Sequence, residues 1–157
     1  MSKIISIPVE ILPHGEGLPI PEYATEDSSG LDLRAAILGP VILEPGTRFL
    51  VPCGFCMKIP KGYEAQIRSR SGLALNHGIV VLNSPGTIDA DYWGEIKVIL
   101  INLGGEDYEI SRGLRCAQMI ICPIQRVSLN PIPSLEALEG YPDAKRRGSG
   151  FGSTGLV

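Results

Sequence analysis

Long apolar runs are missing from this 157-residue chain, and stretches such as Val98 to Ile101 fall far short of the roughly 20 residues that a membrane helix needs. No membrane partner is expected. The opening MSKIISIPVEIL lacks an apolar signal core and a small-residue cleavage site, so the expected compartment is the cytoplasm. A basic excess is missing as well. With a formal net charge of -3, the chain has no general means of neutralising a phosphate backbone, which argues against a nucleic-acid partner. A small anionic ligand would have to be met by a local cluster, and arginines do gather near Gly- and Ser-rich stretches: Arg68, Arg70, Arg112, Arg115, Arg146 and Arg147.

Cysteine is sparse, at positions 53, 56, 116 and 122. The first two form a CxxC, Cys53-Gly54-Phe55-Cys56, whose functional readings are a redox dithiol or half of a zinc site. Cys116 and Cys122 have five residues between them and no helix-opening signal follows Cys56, so small core residues of a cytosolic protein are the better reading.

Helical periodicity is also scarce, and what recurs is short β-branched and apolar runs between Gly and Pro punctuation. Strands are predicted at Ile4 to Ile11, Gly30 to Ala36, Arg48 to Pro52, Phe55 to Ile59, Tyr63 to Arg68, Gly78 to Asn83, Glu95 to Asn102 and Ala117 to Pro123, with helical turns at Ser71 to Asn76 and Ser134 to Glu139. Turns such as Glu44-Pro45-Gly46 separate them at the spacing of a sandwich, barrel or jelly roll. Apolar residues make up 44% of the chain and charged ones 20%, enough for one core at this length. The fold class is therefore all-β, in a single domain. After Pro123 the composition turns to Pro, Ser, Gly and charge, ending in RRGSGFGSTG, which cannot pack a core of its own. Phe151 offers a ring for a base, and the arginines and hydroxyls around it offer donors to phosphate.

Three segments carry chemistry on their residues alone. RSRSGLA joins a strand end to a helical turn, where free N–H groups, Gly72, the Ser71 hydroxyl and the Arg70 fork make an oxyanion cradle. Asn83 to Tyr92 runs through a turn between apolar strands, and strand alternation would put Ile88, Ala90 and Tyr92 on one side with Asp89 and Asp91 on the other. The bland reading of those acids is turn capping; the sharper one is acid–base or metal chemistry. Asp32 lies inside an apolar strand and needs a partner, an arginine more readily than the water shell of a magnesium ion.

In this order and spacing, SGLDLRA, RSRSGLA, GTIDADYWGE, GLRCAQ and RRGSGFGSTG resemble the five motifs of the trimeric dUTP pyrophosphatases, from Ser29 to Gly155. The resemblance implies a jelly-roll-like β-barrel core over residues 1–140 and a flexible Gly-rich arm over 141–157. It implies a homotrimer in which the arm closes a site formed by two other subunits. The implied reaction is magnesium-assisted attack of water on the α-phosphorus of dUTP, giving dUMP and pyrophosphate. That activity limits uracil incorporation into DNA and supplies dUMP for dTMP synthesis.

By motif, Asp89 resembles the general base. Tyr92 resembles the ring under the deoxyribose, and Asn83 with the backbone of Gly86, Thr87 and Ile88 resembles the uracil-reading surface. Arg70, Ser71, Gly72 and Gln118 match phosphate-binding positions, and Lys97 matches a substrate contact. Asp32 resembles the carboxylate that holds Mg2+ through water, the phosphates binding the ion itself. Phe151 resembles the ring stacked on uracil, with Arg146, Gly152, Ser153 and Thr154 around it. Arg115 looks structural. Two departures stand out: Ser69 occupies a position usually held by Pro, which should loosen that turn, and Arg147 and Ser149 replace glycines of the arm. The nearest rival is a dCTP deaminase of the same superfamily, against which the Asp-x-Asp-Tyr hairpin and the arm with Phe151 weigh.

Overall fold

Alternating apolar residues build two four-stranded antiparallel sheets in the computed structural model of the chain, which describes residues 4–138. The first sheet runs in the order β1 (Val9–Ile11), β4 (Arg48–Met57), β8 (Glu95–Asn102), β6 (Ile79–Val81). The second runs β2 (Leu31–Arg34), β10 (Arg115–Pro123), β5 (Tyr63–Arg68), β7 (Gly86–Ile88), and β3 (Val41–Leu43) pairs with β9 (Tyr108–Ile110) in a separate ribbon. One short helix, α1 (Ser71–His77), follows β5. All of these lie in the first of two compact units, Met1–Gln125. In the second unit, Arg126–Val157, the described residues include a 3-10 turn at Leu135–Ala137, begun by the Ser134 hydroxyl accepting from the Glu136 N–H at 3.2 Å.

Both sheets feed one core. On β8, Ile96, Val98 and Leu100 alternate inward to join Val51 and Phe55 of β4, and Leu33, Ile67, Ala117 and Met119 come in from the second sheet. Each large aliphatic side chain so buried stabilises by about 1.5–3 kcal/mol. Asn102 ends the strand with no solvent exposure and answers all its polar groups. Its Nδ2 donates to the carbonyls of Leu43 and Glu106, each at 2.8 Å, and its Oδ1 accepts from the Gly104 N–H at 2.8 Å. That residue ties β8 to the ribbon strand β3 and to the loop before β9.

Part of the outer face of the first sheet is apolar too, between Arg48 and Lys97. Ile99 and Ile101 of β8 point there, with Leu50 opposite Ile99 and Val80 opposite Ile101. An antiparallel sheet that meets water on one side normally alternates apolar and polar, and this one does not.

Several expectations change. The runs Arg48 to Pro52 and Phe55 to Ile59 are one strand, β4, bulged between Pro52 and Cys56 with Gly54 at φ +74°. Pro52 survives there because its carbonyl accepts from Ala36, so its missing N–H lies on the side away from β8. The expected first strand keeps only Val9–Ile11, following Pro8. β3 and β9, three residues each, were not expected at all. Cys53 lies in the core, and a hydrogen bond with Cys116, then burial, pushes its thiol up, which suits packing and not thiolate chemistry.

Candidate active site

Motifs far apart in the sequence meet at one end of the second sheet. The register sets Gln118 of β10 between Asp32 of β2 and Arg68 of β5. Asp32 is clamped by two arginines: Arg70 Nε lies 3.3 Å from its Oδ1, and Arg115 Nη1 donates to its Oδ2 at 3.0 Å. Arg70 also donates from Nη1 to the Arg115 carbonyl at 2.9 Å. The expected pairing of Asp32 is thus observed, and Arg115 takes a structural part. Gln118 Nε2 donates to the Ser69 carbonyl at 3.1 Å, while its Oε1 faces Gly30 so closely that a Cβ there would come within 2.8 Å.

Arg70 is the N-cap of α1, in extended conformation, and Ser71 and Gly72 open the helix on its exposed side. The N–H groups of that first turn have no partners within the helix. The helix ends at Gly78, in the left-handed region at φ +68°, packed so tightly on Gly104 that an added Cβ would lie 2.4 Å from the Gly104 nitrogen. Ser69 was expected to loosen the turn before α1. Its hydroxyl accepts from the Val81 N–H at 2.9 Å, a bond that ties the turn to β6. Burial pushes the Tyr108 hydroxyl up, opposed by a pull downward from the Arg70 charge.

A second group of residues lies on the hairpin after β7. Strand geometry stops at Ile88, and the Tyr92 N–H donates to the Asp89 carbonyl at 3.1 Å, closing a turn with Ala90 and Asp91 at its corners. The expected alternation across Ile88, Ala90 and Tyr92 therefore ends at Ile88, because the turn resets the directions of the side chains. Asp91 sits at the corner, where Asp is common, and Asp89 stands exposed at the strand end. Asn83 is exposed, with its amide against Gly86: a Cβ on that glycine would meet Asn83 Nδ2 at 3.1 Å. Thr87 is exposed on β7, the edge strand of its sheet, so one row of β7 main-chain groups points away from the ladder. The Tyr92 ring folds back over Gly94 and its hydroxyl donates to the Glu95 carbonyl at 2.9 Å.

Glu95 drew no role from the sequence, and the structure makes it a hub. His14 Nε2 donates to its Oε1 at 2.6 Å, the Gly54 N–H donates to the same oxygen at 3.0 Å, and Lys97 Nζ stands 3.5 Å from Oε2. Burial pushes this carboxyl up, but the His14 and Gly54 hydrogen bonds and the His14 and Lys97 charges outweigh it and hold the group below the usual carboxylate range. His14 was missed for want of any local signal, since its partner lies 81 residues away.

The two groups do not meet within one chain. Ile88 is opposite Ala65 and Gln118 opposite Arg68, so Asp89 lies about 13 Å along the strands and about 14 Å across them from Asp32, on the order of 20 Å in all. Arg146, Phe151, Gly152, Ser153 and Thr154 lie outside the described residues, as does the expected boundary between 1–140 and 141–157. Among the described residues no helix is long and apolar enough to cross a membrane.

Fold and site together define an all-β protein that sets an arginine-rich turn and an acidic, aromatic hairpin on one sheet. The family model described as dUTPase matches residues 16–155, and the chain belongs to the dUTPase family. It is 52% identical over 159 residues to the deoxyuridine 5'-triphosphate nucleotidohydrolase of Bartonella quintana (strain Toulouse), covering 98% of this chain and 86% of that one. Among solved structures it resembles Staphylococcus bacteriophage 80alpha dUTPase with dUPNHPP, at TM-score 0.78 and 26% identity over 96% of this chain and 99% of the other. It shares its fold with a mutant dUTPase from phage phi11 of S. aureus, described as coordinating a structural Mg(II) ion, at TM-score 0.74 and 24% identity over 84% of this chain and 99% of that one.

Proposed function

We propose that the protein hydrolyses dUTP to dUMP and pyrophosphate, with water attacking the α-phosphorus. The observation that carries this reading is the convergence of Asp32, Arg70 and Gln118, from three separated motifs, around one turn in a chain of this family.

In the proposed mechanism Arg70, Ser71, Gly72 and Gln118 bind the phosphates, the guanidinium by charge and the turn by N–H and hydroxyl donors. Asp89, exposed beside the turn, takes the proton from the attacking water. Asn83 and the outward main-chain groups of β7 read the edge of uracil, Tyr92 lies under the deoxyribose and excludes a 2′-hydroxyl, and Lys97 contacts the substrate. Phe151, with Arg146, Gly152, Ser153 and Thr154 of a C-terminal arm over 141–157, closes the site and excludes bulk water other than the attacking molecule.

Asp32 suits a hydrated Mg2+ better than a directly bound one. Each of its oxygens already faces a guanidinium, so a dication in direct contact would sit against two positive charges, whereas a bridging water needs only a remaining lone pair. When bound, the ion neutralises phosphate charge as it develops.

Asp89 and Asp32 must both act on one triphosphate, and on the order of 20 Å separates them in one chain. A homotrimer with sites between subunits resolves this by bringing the hairpin of one copy to the cradle of another. The apolar outer face of the first sheet supplies a surface for such assembly. The test is pyrophosphate release from dUTP, dTTP, dCTP and UTP side by side, with magnesium. Release from dUTP far above the rest is expected, and ammonia from dCTP without pyrophosphate from dUTP would overturn the proposal.

A further inference from the structure

The geometry points to Glu95 as the residue that sets the pose of Tyr92 and, through it, the discrimination between deoxyribose and ribose triphosphates. This rests on the sugar-reading role proposed for Tyr92.

The Tyr92 ring is not held by the core, since the residue is 43% exposed. It is held by the backbone just after it. A Cβ on Gly94 would meet the ring at 2.8 Å from Cζ and 2.7 Å from Oη, so the ring lies directly on that glycine. Its hydroxyl then donates to the carbonyl of Glu95. The pose of the ring is therefore set by the backbone from Gly94 to the Glu95 carbonyl.

Glycine imposes little on that stretch of backbone by itself. The Glu95 side chain does. It stands where β4 bulges, and its carboxylate, 14% exposed, is approached by the Gly54 N–H of the bulge, by His14 and by Lys97. His14 sits on the 3-10 turn Pro13–Gly15, whose position is fixed in turn by Arg112 donating to the His14 carbonyl at 2.7 Å. A carboxylate fastened to three elements thus lies in the same residue as the carbonyl that receives Tyr92. Glu95 is a positioning residue: it touches Lys97 and Tyr92, not the reacting atoms.

The experiment compares kcat/KM for dUTP and UTP in the full chain, its Glu95→Gln, Glu95→Ala and His14→Ala variants, Tyr92→Phe, and the double variant of Glu95→Gln with Tyr92→Phe. The dUTP-over-UTP ratio should fall about tenfold in Glu95→Ala and less in Glu95→Gln, because contact discrimination against one hydroxyl is lost as the ring moves. A purely structural role would depress both substrates together and leave the ratio unmoved. Should Glu95→Ala fail to fold, His14→Ala removes one donor from the same carboxylate and must shift the ratio in the same direction. Tyr92→Phe, lacking the hydroxyl bond, should reproduce the fall and leave Glu95→Gln little to add in the double variant. An unchanged ratio in folded variants overturns the inference while dUTP preference in the parent protein preserves the role of Tyr92. A parent protein that does not prefer dUTP over UTP overturns both.

Discussion

At the scale of single residues, Asp89 and Glu95 are two acids of one hairpin held in opposite ways. Asp89 stands exposed at a turn, and Asp89→Asn keeps its shape while removing the proposed proton acceptor. Turnover of dUTP should fall roughly 10²–10⁴-fold with the dissociation constant nearly unchanged, as read by pyrophosphate release and equilibrium binding. Glu95 is held ionised. Because its carboxyl is lowered in the folded state, its contribution to stability is complete above the ordinary carboxylate value and drains away as pH falls through the lowered one. Urea midpoints measured from about pH 6 down to about pH 3 should show the stability gap between the parent and Glu95→Gln closing toward acid. A gap independent of pH would contradict the direction of that shift.

At the scale of elements, α1 and the loop after β8 form one unit, with Gly78 pressed on Gly104 and Asn102 bonding Gly104, Glu106 and Leu43. Asn102→Ala would strand two carbonyls and an N–H in the core, and should cost about 3 kcal/mol by chemical denaturation. Gly78→Ala should cost at least about 1–2 kcal/mol for the left-handed backbone alone, with the contact to Gly104 added.

Legibility in the sequence varied among these elements for physical reasons. β5 and β8 were readable to the residue because Tyr63–Arg68 alternates and Glu95–Asn102 carries a β-branched apolar run that ends before the Gly104-Gly105 turn. β3 and β9 were not, since three residues give no period and each is defined by a partner far along the chain. Pro52 and Gly54 read as a break, although a bulge absorbs both. The residues of the arginine-rich turn and the hairpin were legible as motifs, but apart from an arginine for Asp32 not the partners that hold them. No pattern announces that His14 reaches Glu95 or that Ser69 reaches Val81, because contacts between distant segments exist only once the sheets have formed.

At the scale of the whole molecule, the separation of Asp89 from Asp32 makes the site a test of assembly. Mixing equal amounts of Arg70→Ala and Asp89→Asn chains, each nearly inactive, through unfolding and refolding should restore about a quarter of the parent's sites if three copies exchange freely in a ring. No recovery would place the site within one chain. Truncation after Gly140 should leave the near-ultraviolet spectrum of the core intact and remove most turnover; full activity would discredit the arm.

The outer face of the first sheet, with Leu50, Ile99, Ile101 and Val80 side by side, carries a further consequence. Association that covers it adds its free energy to folding, so thermal midpoints should climb as the solution is made more concentrated. A mutation on that face would then be diluted out of effect at high protein and exposed at low protein. Its severity would depend on how much of the protein the cell makes.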